Sequence, residues 1–233
     1  MDAGCGTGDK SAWFASLAPH ANIIAMDSSE SINIAYKKFH RKFENITFVH
    51  GNIADTKIKK ENIDFIFCDQ VIMHTENPRQ TLLELSKILK HKGLLLCYWY
   101  KKKALPRELI DEYFRLHKFS NKELIKLSKE LVILGKLLQN LNINTVFPEI
   151  KSLGIKGGKM SLQTYIYNNF IKCFWNKDLG AQLSMITNYD WYAPRNAVRF
   201  SKKQIHTDLK YSKLKVDFFH EEDSCYSGRF IKF

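Results

Sequence analysis

The stretch Asp2-Ala3-Gly4-Cys5-Gly6-Thr7-Gly8 decides how this chain is read. Three glycines at alternate positions stand ahead of the helix-forming run from Asp9 to Leu17, the pattern of a strand turning into a helix. Glycine has no Cβ, so such a turn tolerates positive φ and lets a ligand lie against bare main chain. The helix behind it points its free N–H groups into the same turn. Two phosphate-binding patterns each fail by one residue. A phosphate-cradling loop needs Gly, four residues, then Gly-Lys-Ser/Thr, and Asp9 separates Gly8 from Lys10. A dinucleotide loop needs Gly-x-Gly-x-x-Gly, and here the third glycine comes one position early. The carboxylate of Asp2 opposes a pyrophosphate and suits a cationic amine. An ordinary glycine-rich turn is the plainer alternative.

Working outward, Asn22 to Asp27 is a short apolar run ending in a carboxylate, and Ser28-Ser29-Glu30 opens another helix. This spacing predicts a buried parallel strand and its crossover. A carboxylate ending the second strand can hold both hydroxyls of a ribose, and Asp27 falls 19 residues after Gly8. Capping of the next helix is its other role. Ile46 to Asp55 reads as a third strand entering a polar turn at Gly51-Asn52. Ile63 to Cys68 begins a fourth, which ends in a polar cluster from Asp69 to Asn77. Open α/β sheets keep their ligands at such carboxyl edges. Pro78 and the amphipathic run Thr81 to Lys90 predict the next helix, ended by Gly93, with Gly93 to Tyr100 as the fifth strand.

Loop, ribose acid, polar turn and strand-four edge together, over residues 2–78, resemble class I S-adenosylmethionine-dependent methyltransferases of the type 11-like kind. The resemblance implies an α/β, Rossmann-like sheet with helices on both faces, and S-adenosyl-L-methionine as cofactor. Asp2, Gly4, Cys5, Gly6 and Gly8 then lie under its methionine half, and Asp27 and Ser28 at the ribose. Asn52 meets the adenine amino group where the family more often has Asp, and Ile53 offers a backbone contact and an apolar face. Asp69 joins the cofactor set from the end of strand four. Gln70 faces the acceptor, and His74 is the candidate general base, since an imidazole needs little adjustment to work near neutrality. A histidine simply hydrogen-bonded at a turn is the competing role. Tyr189-Asp190-Trp191-Tyr192-Ala193-Pro194-Arg195 is similar to an Asp-Trp-aromatic-x-Pro segment of one bacterial branch, which places Trp191, Tyr192 and Arg195 at the acceptor pocket.

The chain has 233 residues, 45% hydrophobic and 26% charged, the proportions of one globular α/β domain with an insertion. Its five cysteines, Cys5, Cys68, Cys97, Cys173 and Cys225, are scattered without metal-ligand spacing, which predicts a reduced, cytoplasmic setting and no metal. No stretch has the order of a signal peptide or the ~18 apolar residues of a membrane span. The net charge is +12. Residues 101–188 hold fifteen Lys/Arg against seven Asp/Glu, so most of the excess lies there. We read residues 1–100 as the cofactor-binding half and 101–188 as a basic helical insertion after strand five. Residues 189–233 then supply the closing helix and strands of the main domain. Within the insertion, Asn121 to Leu141 has a leucine stripe at helical spacing, and Ser161 to Lys177 reads as a second helix.

A basic insertion points to an acidic small-molecule, lipid or glycan acceptor, or to peripheral contact with an anionic membrane face. Lysines that serve only solubility are the plain alternative. Two other functions compete: a methyltransferase-like binding protein that does no chemistry, and an RNA methyltransferase. The second lacks an Asn/Asp-Pro-Pro-aromatic tetrapeptide. One expectation concerns the sheet itself. A glycine loop of this kind normally follows a longer apolar strand, so the slot of the first strand is expected to be empty, with the strand on an upstream segment.

Overall fold

The computed structural model describes residues 1–117 and 119–233. They divide into one unit of residues 1–101 with 197–233, and a second of residues 102–196. The first unit opens with β1 (Asp2–Ala3), the glycine loop and α1 (Asp9–Leu17). Then come β2 (Ile23–Asp27), α2 (Ser31–Phe39), β3 (Ile46–His50), β4 (Ile63–Cys68), α3 (Pro78–Ile88) and β5 (Leu89–Tyr100). The second unit contains α4 (Leu105–Leu116), α5 (Asn121–Asn140), the hairpin β6 (Asn144–Phe147) and β7 (Gly158–Ser161), α6 (Leu162–Asn169) and α7 (Gly180–Tyr192). The chain returns to the first unit for α8 (Lys202–Tyr211), β8 (Leu214–Glu221) and β9 (Cys225–Lys232).

In the first unit the strands form one sheet in the order β3-β2-β1-β4-β5-β9-β8. β1 to β5 pair in parallel, and β9 lies antiparallel between β5 and β8. The apolar runs become strands because both sheet faces are covered: Ile66, Cys68, Leu85, Ile88, Leu95 and Phe230 are fully buried. Each such aliphatic or aromatic side chain contributes roughly 1.5–3 kcal/mol by leaving water. Asn77 accepts from the Gln80 N–H at 3.1 Å and, with Pro78 behind it, starts α3. Gly93 does not end that helix as expected. The helix stops at Ile88, and Gly93 sits inside β5, where an added Cβ would lie 2.9 Å from the Lys90 carbonyl oxygen and 3.2 Å from that of Asp64.

The slot expected to be empty holds β1. Asp2 registers with Ala25 on one side and Phe67 on the other, and the Phe67 N–H donates to the Met1 carbonyl at 2.9 Å. Ahead of β1 a cavity of about 700 Å³ opens between the amino ends of β2 and β4, lined by Ile23, Ile24, Ile63 and Phe65, with Phe14 and Leu17 from α1.

In the second unit, Ser120 and Glu123 form a reciprocal capping box that starts α5, and Leu124 and Leu131 of its stripe are buried. The helix expected over Ser161 to Lys177 ends at Asn169. That side chain turns back, accepting from the Lys156 N–H at 3.0 Å and donating to the Tyr165 carbonyl at 3.0 Å. Residues 172–176 then run across α7. Lys172, Phe174 and Asn176 donate their N–H groups to the side-chain oxygens of Tyr192, Asn188 and Ser184, at 3.2, 2.7 and 3.2 Å. The boundary expected after residue 188 therefore falls after Asn196, because α7 carries Tyr189 to Tyr192 within the second unit.

Candidate active site

The loop after β1 is built as its glycines require. Gly4, Gly6 and Gly8 have φ of 84, 52 and 79°, the left-handed region that side chains disfavour. A Cβ on Gly4 would lie 2.4 Å from both Val71 methyls, and one on Gly8 would lie 2.8 Å from the Ala35 Cβ. A Cβ on Gly6 would have nothing within 4 Å. The outer two glycines thus let protein pack close, while the middle one leaves its face open. The Gly4 and Cys5 N–H groups donate to the Met26 carbonyl at 2.8 and 3.0 Å, which ties the loop to the end of β2. α1 has no side-chain cap at its start.

Asp27, at the end of β2, accepts from the Gly6 N–H at 2.8 Å on one oxygen and from the Ser29 N–H and hydroxyl at 2.9 and 2.6 Å on the other. A carboxylate offers about four acceptor positions. One remains open, and the rotatable Ser29 hydroxyl can release a second. Asp2 is buried at 4% exposure and accepts from the Ser11 hydroxyl at 2.6 Å. Burial pushes its carboxyl above the usual range, against the pull of Ser11. The Cys5 thiol is pushed up to about 12, by burial first and then by Asp2 and Asp27, so it is no nucleophile at neutral pH.

Asp27 registers beside His50, so the ends of β2 and β3 lie level. The His50 ring bonds to the Ser28 carbonyl at 3.1 Å, and Ser28 itself is exposed. In the next turn Asn52 is exposed and accepts from the Ala54 N–H at 2.9 Å, while Ile53 is buried. At the end of β4, Asp69 is ion-paired to Lys10, which reaches over from α1 and stands 5.3 Å from the Phe67 ring. Gln70 adopts φ 59°, a strained turn that aims Val71 into the space left by Gly4. His74 closes a 3-10 turn over Ile72–His74, with its ring edge-on to Tyr100 at 5.5 Å. The Met73 carbonyl accepts from the Val198 N–H at 2.9 Å, which draws the returning chain to this turn.

Asp2, Asp27, Asn52 and Asp69 thus come from the carboxyl-edge ends of four neighbouring strands, around an open glycine. Trp191, Tyr192 and Arg195 belong to the second unit and form no cluster of three: Arg195 is exposed, while the Tyr192 hydroxyl bridges the Lys172 backbone at 3.2 and 3.3 Å. Four residues were not singled out from sequence. Ser11 and Ser29 anchor the two carboxylates, Lys10 holds Asp69, and Val71 fills Gly4. Only Ser29, two residues past Asp27, lies at the spacing of a local side-chain turn that sequence can signal.

A parallel sheet with a reversed last strand and an acid-flanked glycine loop at its carboxyl edge is the architecture of a class I methyltransferase. The methyltransferase-domain family profile matches residues 1–168, and the chain belongs to that family. A demethylmenaquinone methyltransferase of Lactococcus lactis is 28% identical over 159 residues, 66% of this chain and 61% of that enzyme. An uncharacterized methyltransferase of Schizosaccharomyces pombe is 26% identical over 105 residues, 42% of this chain and 38% of its own length. The chain therefore spans less than two thirds of these relatives. Among solved structures, SAM-dependent methyltransferases from Methanosarcina mazei and Aquifex aeolicus share the fold. The first has TM-score 0.55 at 13% identity, over 100% of this chain and 91% of that one. The second has TM-score 0.53 at 14% identity, over 100% and 80%.

Proposed function

We propose that the chain is a SAM-dependent methyltransferase acting on a small acidic molecule. The observation that carries this reading is the pairing of Gly6, whose face is open, with Asp27, which holds the Gly6 N–H and keeps acceptor capacity. S-adenosylmethionine, when bound, supplies a methyl group on a sulfonium, which is already an activated leaving group. Asp2 suits its cationic amine, Gly4, Cys5, Gly6 and Gly8 its methionine half, Asp27 and Ser28 its ribose, and Asn52 and Ile53 its adenine. Asp69, held by Lys10, closes the set from β4. The protein's part in catalysis is to hold the acceptor at attack distance in a dry pocket. His74 then takes the acceptor's proton on a ring nitrogen, with Gln70 beside the acceptor.

The named relatives favour a small molecule over a nucleic acid as acceptor. The cation excess of residues 101–188 favours an acidic one. Peripheral contact with an anionic membrane face is a second reading. It rests on α5, where Ile133 and Leu137 are exposed at 68 and 55% on a helix that also carries Lys129 and Lys136, with Leu141 just past its end exposed at 51%.

Calorimetry with S-adenosylhomocysteine tests the cofactor site. Gly6→Ala should keep the fold, since its Cβ meets nothing and the backbone strain at φ 52° costs only about 1–2 kcal/mol, and lose binding because the methyl occupies the open face. Asp27→Ala should weaken binding by at least ~1.5–3 kcal/mol, the loss of charge-assisted hydrogen bonds. NAD bound as tightly as S-adenosylhomocysteine overturns the reading.

A further inference from the structure

The antiparallel end of the sheet carries a hollow that nothing above uses. Pairing sets Phe67 on β4 beside Leu96 on β5, Leu96 beside Arg229 on β9, and Arg229 beside Phe218 on β8. Register partners share a face of the sheet, so these four side chains stand in one row across it. In the next row toward the carboxyl edge, Tyr98 stands beside Ser227. Leu96 and Ser227 are shorter than their neighbours, and a cavity of about 230 Å³ is lined by all six of these residues and by Asp69. Every lining residue belongs to the first unit. Lys10, in the first turn of α1 directly behind the glycine loop, stands at one side. Its amine pairs with Asp69 and lies 5.3 Å from the centre of the Phe67 ring.

The lining selects a flat apolar body. Phe67, Leu96 and Tyr98 are half-buried and Phe218 is exposed, so aromatic and aliphatic surface is gathered where solvent can reach it. A volume of 230 Å³ falls below the roughly 300–1,000 Å³ of drug-sized sites, which leaves room for one or two fused rings. The rim selects the polar end. Asp217 accepts from the Arg229 Nε, and among the described residues the guanidinium has no other hydrogen-bond or ion-pair partner. Its two Nη groups therefore keep a fork of parallel N–H donors, the geometry that a carboxylate accepts bidentately. In both ion pairs beside the hollow the cation is the more exposed member: Arg229 at 52% against 31% for Asp217, and Lys10 at 51% against 24% for Asp69. A ligand arriving from solvent meets positive charge first.

We propose that this hollow binds a small planar aromatic acid, with the ring over Leu96 between Phe67 and Phe218 and the carboxylate on the open fork of Arg229. The site is new to the assignments made above, none of which names a residue of β5, β8 or β9. Asp69 lines the hollow and also closes the cofactor set, so the two sites adjoin within the first unit. Under the function proposed above this acid is the acceptor, and that last step alone rests on that reading.

The probe is β-naphthoate, with β-naphthamide as its neutral counterpart, and neither involves the methyl donor. Calorimetry is run at ~0.15 M salt, where long-range attraction by the net charge is screened. The intact chain should bind the acid at least about tenfold more tightly than the amide. Arg229→Gln, a change at an exposed side chain, should weaken the acid alone and so bind the two alike. Phe218→Ala should weaken both by a similar factor, since it removes a wall that the ring touches in either compound. Saturating S-adenosylhomocysteine should not displace naphthoate, because the sites adjoin without overlapping. No naphthoate binding by the intact chain, an undiminished acid preference in Arg229→Gln, or displacement by S-adenosylhomocysteine each overturns the proposal. If S-adenosylhomocysteine binds in those cases, the cofactor reading stands and this site alone falls. If it fails to bind while naphthoate behaves as expected, the site stands and the methyl-donor reading falls.

Discussion

The two units both bury charge, and they do so by opposite means. In the first unit, Asp2 and Asp27 are surrounded by N–H and O–H groups supplied within a short stretch of chain: the Gly6 amide, Ser29 and Ser11. In the second, Arg107, Asp111 and Lys172 meet across sixty-odd residues of sequence, and aromatic rings stand where hydrogen-bond donors stood. A carboxylate held by local backbone needs only the right loop. A cation held by remote side chains needs the whole unit folded around it. The first arrangement keeps acceptor capacity for a ligand, whereas the second leaves a positive charge short of a partner.

Three substitutions break or sharpen this contrast. Asp111→Asn removes the buried carboxylate that pairs with Arg107 and accepts from the Trp191 indole, and stripping a partner from a buried ion pair costs about 3–5 kcal/mol. The denaturant midpoint should fall sharply; a change within error would mean that the pair is solvated after all. Gly4→Ala comes next. It combines a side chain at φ 84° with a Cβ 2.4 Å from Val71, and such overpacking costs about 1–3 kcal/mol with roughly 1 kcal/mol more for the backbone. Its melting temperature should drop, and Val71→Ala in the same chain should restore part of it.

Asp2→Asn should have the smallest effect on folding. The folded carboxyl has a raised pKa, so as pH climbs from the unfolded value through the folded one the wild type loses stability, and that loss persists at neutrality. Removing the charge therefore should not lower the melting temperature at about pH 7, although S-adenosylhomocysteine binding should weaken as the amine loses its counter-ion. A melting temperature that falls as far as that of Asp111→Asn would erase the difference between the units.

The same contrast explains what could be read from sequence. The loop, Asp27 and the strand order were legible because each is a local pattern with one geometry: positive-φ glycines, an acid ending an apolar run, strands alternating with helices. Asp69 was placed at the right edge, yet its pairing with Lys10 was not visible, since the two lie 59 residues apart. α7 escaped notice for a specific reason. Its inward positions, Ser184, Asn188 and Tyr192, fall at helical spacing, but they are chosen to receive backbone N–H groups from residues 172–176 and carry little apolar periodicity. The same feature misplaced Trp191 and Tyr192, which were assigned to the main domain by resemblance and are held in the second unit by this ladder. Lys172 had no signal at all, being one lysine among many in a basic segment.

β1 pairs with β2 and β4 where the chain enters the glycine loop. The Gly4 and Cys5 N–H groups both end on the Met26 carbonyl, so the loop cannot leave the sheet without β2 giving up both bonds. The backbone amides of Gly4 and Cys5 should therefore exchange with deuterated solvent about as slowly as that of Met26. Asp27 is the next residue of that strand, so the carboxylate proposed to grip the ribose keeps its place relative to the loop.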